Sequence, residues 1–222
     1  VDVLYYFWVK TVTCDNCGTD IPLYKSTVFS KNAYASKKPA AQSICPHCSA
    51  INQIKYSDEN TTCTNCGKSY NPQKGNISGI EYICPICGKH ERIIEYARRK
   101  GEIIPARLYA KMIVDRHGNK KYLPIDEYDI ALYEKTLAAV SDHLEYIPSE
   151  AIHPGTNTDQ ILGYNYRQWR DMFNARQLLS FSILMQEIRK IDDIPLRRLF
   201  SVLMSGTLEF NNMFCSFKGE GT

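Results

Sequence analysis

The order of apolar and polar positions divides the chain into a strand-rich first part and a helix-rich second part. An apolar strand at 108–114 runs into the turn-forming residues 115–119 and then into 121–123, which predicts a β-hairpin. Apolar residues then recur at steps of three and four from Ile130 to Leu144, which predicts a helix that Ile147-Pro148 ends. Strand patterns therefore lie before residue 124 and helical patterns after it.

Two further helices are predicted beyond a loop. Residues 148–166 contain two prolines and two glycines and are typical of a loop or linker. Asn174 and Gln177 have the spacing of a helix capping box. The helix that they open, from 175 to about 190, is apolar nearly all round, so we expect it to be deeply buried. Asp193 and Pro195 open the last predicted helix.

Eight of the nine cysteines form four CxxC pairs. The pairs are Cys14/Cys17, Cys45/Cys48, Cys63/Cys66 and Cys84/Cys87. The two-residue spacer lets both sulfurs face one ion, and three pairs are followed by a glycine that permits a tight turn. A disulfide framework or a redox CxxC is disfavoured, because four such pairs occur without a signal peptide. Two pairs make one tetrahedral site, so the sequence predicts two zinc ions.

The grouping of the four pairs is not decided by their spacing. The gaps between successive pairs are 27, 14 and 17 residues, and zinc ribbons usually have gaps of about 15–20 residues. The second and third pairs would make one compact ribbon, with the first and fourth closing another site around it. In the competing arrangement, the first pair joins the second and the third joins the fourth. Four thiolates fill the shell of either site, which excludes catalytic zinc.

The remaining metal-type side chains are interpreted as structural. His47 and His90 lie beside CxxC pairs, but four cysteines per ion leave no need for a histidine ligand. Cys215 stands alone and is expected to be a small buried apolar residue. The loop histidines His117 and His153 are expected to be solvated. These patterns predict an α+β fold, with a zinc-ribbon β-hairpin region at 1–123 and a helical region at 124–222.

Charge and targeting signals restrict the function classes only slightly. The formal net charge is +3, and residues 1–100 are the basic part, with 13 Lys/Arg against 8 Asp/Glu. No acidic residue occurs between Asp20 and Asp58, which indicates a mildly basic face. Each zinc with four thiolates carries a charge of about −2, which offsets most of this excess. No membrane span or signal peptide is present, so we expect a cytoplasmic protein.

Catalytic signatures are absent from the sequence. It contains no nucleotide-binding glycine loop and no GxSxG, HExxH or Walker motif. The chain starts without Met and stops without a helix end, and both ends are interpreted as cuts inside a longer protein. We therefore expect no catalytic residue in this chain.

Three segments resemble the central part of the zinc-ribbon-containing, adenine-specific DNA methylase family (the family with a DUF1156 domain). They read YYFWVKTVTCDNCGTDIPLYKS, NPQKGNISGIEYICPICG and GYNYRQWRDMFNARQLLSFSILMQEI, and the final NNMFCSFKGEGT is also similar. In that family the methyl-donor site and the catalytic Asp-Pro-Pro-Tyr lie outside the matched region. S-adenosylmethionine is accordingly expected only in a longer parent protein.

The resemblance also bears on the metal sites and the partners. It implies the nested grouping, with Cys14, Cys17, Cys84 and Cys87 for one zinc and Cys45, Cys48, Cys63 and Cys66 for the other. It implies DNA and the remaining methylase domains as partners. The residues expected to contact DNA are Lys25, Lys31, Lys37, Lys38, Arg167 and Arg170.

A protein-interaction module without DNA affinity is the alternative function. Zinc ribbons form rigid platforms for protein partners, and the metal-corrected charge is close to neutral. In this interpretation the apolar start, Leu4 to Trp8, docks onto another domain or subunit.

Overall fold

The computed structural model describes residues 2–217, which divide into two compact units. The first unit extends to Ile125 and also includes Phe217, whereas the second runs from Asp126 to Ser216. The division falls two residues after the end of the predicted zinc-ribbon region at 123. Antiparallel strands make up the first unit and helices the second, so the α+β class is confirmed.

The described part of the first unit contains twelve strands and one helix. They are β1 (Asp2–Thr13), β2 (Asp20–Pro22), β3 (Val28–Lys31), β4 (Ala40–Ile44), β5 (Ile51–Lys55), β6 (Thr61–Thr62), β7 (Ser69–Tyr70), β8 (Ile77–Ser78), β9 (Glu81–Ile83), β10 (His90–Arg92), α1 (Ile93–Lys100), β11 (Ala106–Val114) and β12 (Lys120–Pro124). The sheet orders are β12-β11-β1-β2, β3-β4-β5, β8-β9-β10 and β6-β7.

The four-stranded sheet supports the rest of the first unit. The predicted hairpin is confirmed as β11 and β12, which pair from Val114 with Lys120 to Ala110 with Pro124. On its other edge β11 pairs with β1. Phe7 is buried and makes edge-on ring contacts with Phe29 and Phe217. The apolar start of the chain therefore lies inside a sheet, although Leu4 and Tyr5 remain about half exposed.

Strands β3 to β7 form an insertion between β2 and β8, and its two ends meet at a tight neck. The backbone N–H groups of Asn76 and Ile77 both donate to Tyr24 O, and the Asn76 amide donates to Pro22 O. Gly75 passes so close to Tyr24 that an added Cβ would lie 1.9 Å from Tyr24 O. The chain thus leaves and re-enters the outer part of the unit at one place.

Helix α1 was missed by the sequence analysis because its eight residues are too few for a clear period. Its ends nevertheless carry the usual signals: Glu95 in the first turn, three basic residues in the last turn, and Gly101 after it. Gly101 has φ 72°, in the left-handed region that ends helices. Tyr96 and Ala97 are buried and attach the helix to the unit.

The second unit consists of helices and single turns. They are α2 (Glu127–Val140), a 3-10 helix (Ser141–Tyr146), α3 (Asp159–Gly163), a 3-10 helix (Trp169–Met172), α4 (Ala175–Arg189) and α5 (Ile194–Phe210). The three long predicted helices are confirmed. So is the capping box of α4, in which Asn174 and Gln177 bond each other's backbone N–H.

Two predictions for the second unit were wrong. Helix α3 and a single bridge from Ala151 to Gln168 lie where a structureless loop was expected. Helix α4 is not deeply buried, since Ile183 and Leu184 are more than 40% exposed. Two neighbouring helices cannot cover the whole circumference of a third. A helix that is apolar all round therefore keeps an uncovered face in a unit with three long helices.

Among residues 2–217, the structure contains no helix with the length and apolar character required to traverse a lipid bilayer.

Candidate metal centres

Each CxxC pair forms the same backbone turn, which we call a knuckle. In the first, the N–H of Cys14 donates to Thr19 O and the N–H of Gly18 donates to Cys14 O, at 2.9 and 2.7 Å. The same two bonds recur at Cys45, Cys63 and Cys84. The residue after the second cysteine is left-handed in all four, with φ between 60° and 73°. Three of these positions are glycine, whereas the second knuckle has Ser49.

The four knuckles meet in two groups. The outer site contains Cys14, Cys17, Cys84 and Cys87, and the inner site contains Cys45, Cys48, Cys63 and Cys66. The outer site joins the turn after β1 to the turn between β9 and β10, so it brackets the insertion. The inner site lies wholly within the insertion. This is the nested grouping, and the alternative of first with second and third with fourth does not occur.

The sulfur positions fit one tetrahedral ion in each site. In the outer site the Sγ atoms of Cys14 and Cys87 are 3.6 Å apart, as are those of Cys17 and Cys84. The corresponding distances in the inner site are 3.8 Å and 3.6 Å. Four sulfurs at about 2.3 Å from a central zinc would be about 3.8 Å from each other. These distances are far longer than a disulfide bond of about 2.05 Å, and all eight thiols are free. Each tetrad can therefore hold a metal ion.

Burial and hydrogen bonding shift the thiol pKa values of each site in opposite directions. Burial raises the pKa of Cys14 to about 11 and that of Cys45 to about 12. Backbone N–H groups of its own knuckle lower the pKa of Cys63 to about 6. A side-chain hydrogen bond with Asn16 does the same for Cys87. Each site thus combines a readily ionised sulfur with one that must lose its proton to bind a cation.

The inner site is supported by a buried amide that the sequence analysis missed. Asn52, on β5, is 3% exposed, and its Nδ2 donates to Cys63 Sγ at 3.5 Å and to Ala50 O. Its Oδ1 accepts from both the N–H and the hydroxyl of Thr64. The amide therefore joins the two knuckles of the inner site. The inward position of Asn52 in the alternating strand INQIK was the one available signal, and an asparagine there is not specific for metal.

The outer site is supported by charged side chains instead. Arg99 of α1 bonds Asp15, inside the first knuckle, and also Glu91 of β10, at 2.7 Å. Lys89 lies 3.6 Å from Asp15 and 3.8 Å from Glu91. The buried Tyr82 donates its hydroxyl to Glu91 at 2.7 Å. This network links the two knuckles of the outer site through helix α1, and it places cations beside a site whose thiolates are negative.

The remaining metal-type residues do not join either tetrad. His47 contributes only its backbone N–H, which donates to Cys45 Sγ at 3.4 Å, and His90 lies 3.8 Å from Glu81. His117 is exposed in its turn, as expected. The expectation that Cys215 is buried was wrong, because this thiol is exposed and donates to Glu209 O at 3.2 Å.

The structure places the six predicted DNA-contacting residues in three locations. Lys31, Lys37 and Lys38 lie together at the β3–β4 turn, at the end of the inner sheet away from the inner site. All three are exposed. Lys25 lies at the neck of the insertion, where its carbonyl accepts from Gly75 N. Arg167 and Arg170 belong to the second unit.

Residues 164–170 of the second unit, which mix aromatic side chains with arginines, are partly used in packing. Arg167 donates to Leu162 O at 2.8 Å and to the Asn165 side chain at 3.2 Å, although it remains exposed. Tyr166 is buried and contacts the ring of Phe214.

No protein-family model, curated protein or solved structure matches this chain.

Proposed function

We propose that the chain binds two structural zinc ions, one in each tetrad. The observation that carries this proposal is the set of Sγ–Sγ distances of 3.6–3.8 Å. An all-thiolate tetrahedral shell is typical of structural zinc and leaves no position for a reacting water. The first unit consists largely of strands of two to five residues, so the ions would supply stability that its small cores do not.

Elemental analysis of the purified chain tests this proposal. We expect two zinc ions per chain, and one ion after the double change Cys63→Ser/Cys66→Ser. Removal of both ions by a chelator at near-neutral pH should unfold the first unit. The matched control is Cys215→Ser, which should retain two ions. Iron in place of zinc, or loss of both ions in the double variant, would contradict the proposal.

We propose further that the first unit contacts DNA through the hairpin tip, defined as Lys31, Tyr34, Lys37 and Lys38. The three ammonium groups lie on a turn of one hairpin, and Tyr34 between them is 62% exposed. Lysines attract phosphates without sequence preference, and an exposed ring can stack on a base or pack on a sugar. Three of the six residues predicted to contact DNA therefore lie on this one surface.

A neighbouring tyrosine orders part of this surface. Lys31 Nζ donates to Tyr56 OH at 3.0 Å and lies 4.3 Å from the centroid of the same ring. The backbone N–H of Tyr56 donates to Pro39 O, which fixes the ring beside the β3–β4 turn. No acidic residue lies within ten positions of the tip along the chain, since Asp20 precedes Lys31 by 11 residues and Asp58 follows Lys38 by 20. The cationic side chains of the tip therefore keep a net positive charge.

The resemblance to adenine-specific DNA methylases supports a division of labour. In this proposal the chain holds or recognises DNA, while methyl transfer belongs to parts of the protein that carry the donor-binding and Asp-Pro-Pro-Tyr motifs. Neither motif occurs in these 222 residues. The isolated chain should then transfer no methyl group from S-adenosylmethionine, and measurable transfer would sink this part of the proposal.

Fluorescence anisotropy with labelled duplex DNA tests the contact. The zinc-loaded chain should bind more weakly as salt rises, and binding should disappear with a chelator. Changing Lys31, Lys37 and Lys38 to Gln should flatten the plot of log K against log salt by up to about 0.9 per lost phosphate contact. Equal weakening for unrelated duplex sequences is expected, because phosphate contacts carry no sequence information.

A second triple variant controls for total charge. This variant removes an equal number of positive charges from exposed positions outside the tip, by the changes Lys68→Gln, Arg116→Gln and Lys135→Gln. If both triple variants lose the same affinity, the tip is not a binding surface.

The alternative function is a protein-interaction module. The half-exposed Leu4 and Tyr5 at the start of β1 favour it. A stable protein complex together with no DNA affinity at low salt would select this alternative.

A further inference from the structure

Helix α5 leaves a long apolar stripe uncovered. Leu199, Val202, Leu203 and Phe210 are between 63% and 72% exposed, although the helix is 17 residues long. Met204, about 100° around the helix from Leu203, is buried. Contiguous exposed apolar side chains of this size mark an interaction surface rather than ordinary scatter.

The spacing of the stripe is that of a helix-pairing seam. Leu196, Leu199, Leu203, Gly206 and Phe210 follow one another at steps of three, four, three and four. This alternation is the a/d repeat that lets two helices interdigitate along their length. The stripe therefore fits another helix better than a flat sheet or a small ligand.

The residues on either side of Leu203 complement each other in reverse order. An antiparallel second copy of α5, paired about Leu203, would place Leu196 level with Phe210 and Leu199 one residue away from the level of Gly206. A Cβ built on Gly206 has no atom within 4 Å, so this position is an open notch for a leucine side chain. In a parallel pair, Gly206 would face Gly206 and leave a void.

The charges favour the same orientation. Arg198 and Glu209 are both exposed, five residues before and six residues after Leu203. On helical spacing they lie along the same flank of the stripe. Antiparallel pairing brings Arg198 of one copy beside Glu209 of the other, twice by symmetry. In a parallel pair, each flank of one copy meets the opposite flank of the other, so Arg198 and Glu209 would not come together.

We propose that the partner of α5 is a second copy of this chain, paired antiparallel about Leu203 in a two-fold symmetric dimer. The surface is self-complementary in both shape and charge, which is what an isologous interface requires. The proposal is independent of the metal sites and of DNA contact, because neither involves α5.

Sedimentation velocity of the zinc-loaded full chain, over a concentration series, measures the association. We expect a monomer–dimer equilibrium in the micromolar range. Leu203→Glu should raise the dissociation constant at least tenfold, since two carboxylates would meet at the symmetry axis. Leu137→Glu is the matched control, because it places a charge on an exposed leucine of α2 and should leave the equilibrium unchanged. A chain that stays monomeric to several hundred micromolar overturns the proposal.

Charge reversal tests the orientation without changing an apolar residue. Arg198→Glu and Glu209→Arg should each raise the dissociation constant by roughly 3–10-fold, and the double variant should restore it. Circular dichroism and zinc content of each variant verify that the fold is retained. Failure of the double variant to recover affinity would overturn the antiparallel arrangement.

Discussion

At the residue scale, the knuckles depend on one backbone conformation that the sequence satisfies in three cases out of four. Gly18, Gly67 and Gly88 have φ between 70° and 73°, where a glycine has no steric penalty. Ser49 occupies the same position with φ 60°, and a side chain there costs about 1–2 kcal/mol. The second knuckle is therefore strained in a way that the other three are not.

Ser49→Gly should consequently stabilise the chain. We expect the free energy of unfolding to rise by roughly 1 kcal/mol in denaturant titrations of the zinc-loaded protein. The reciprocal change Gly67→Ser, at the matching position of the third knuckle, should lower it by a similar amount. No gain from Ser49→Gly would mean that the turn is not strained.

Asn52 is the second residue-scale feature, because one buried amide serves both knuckles of the inner site. Asn52→Ala leaves the Thr64 N–H without its acceptor and removes a donor from Cys63 Sγ. We expect a loss of roughly 2 kcal/mol in the free energy of unfolding. Metal transfer to a chelator should also accelerate for one ion of the two. Gln53→Ala, its exposed neighbour on β5, is the control, and equal acceleration for both ions would contradict this role.

At the element scale, helix α1 stabilises the outer site through the ion pairs of Arg99. Burial alone would raise the pKa of Glu91, but hydrogen bonds from Arg99 and Tyr82 outweigh it, and the net pKa lies below the ordinary value. The pKa of Asp15 is lowered against burial in the same way by Arg99 and Lys100. A carboxyl group whose pKa is lower in the folded state stabilises the fold when it is ionised.

The network predicts the direction of an acid effect. The contribution of Glu91 is fully present above its unfolded-state pKa, near 4.5, and is lost as the pH falls through the lower folded-state value. Glu91→Gln should therefore destabilise the chain at pH 7, and its difference from the wild type should shrink as the pH falls below about 4.5. Glu59→Gln, at an exposed position, should show neither effect. A pH-independent difference would refute the ionic explanation.

At the scale of the whole molecule, the first unit is one ribbon inserted into another. Strands β3 to β7 and the inner site form the insertion, and the outer site closes the chain around it. The neck between Tyr24 and Gly75 joins the two parts, where Gly75 N donates to Lys25 O at 3.1 Å. Each metal site then lies within its own segment, and the neck keeps the two segments together.

Gly75→Ala tests the neck. The new methyl group would meet Tyr24 O at 1.9 Å, a backbone atom that cannot move aside cheaply. We expect a loss of about 3 kcal/mol in the free energy of unfolding, with both ions still bound at neutral pH. Gly79→Ala is a useful comparison, because its Cβ meets no atom within 4 Å but its φ of 61° is strained. A smaller loss at Gly75 than at Gly79 would contradict the close approach.

The sequence by itself determined the local features whose cause lies within a few residues. Knuckle turns follow from CxxC and glycine, the β11–β12 hairpin from its turn cluster, and the long helices from their period and caps such as Asn174. Fold class followed from these elements. The apolar character of a helix also follows from the sequence. The sequence does not show whether another element covers that helix.

Tertiary structure alone decided what depends on residues far apart in the chain. The spacing between the CxxC pairs permitted two groupings. The closed neck and the hydrogen bond from the Thr13 N–H to the Tyr96 hydroxyl hold the first and fourth knuckles close to each other. The amide of Asn52 reaches Cys63 across eleven residues, and Arg99 reaches Asp15 across 84. These contacts are set by chain packing, because local backbone preferences carry no information about which distant side chains share a neighbour.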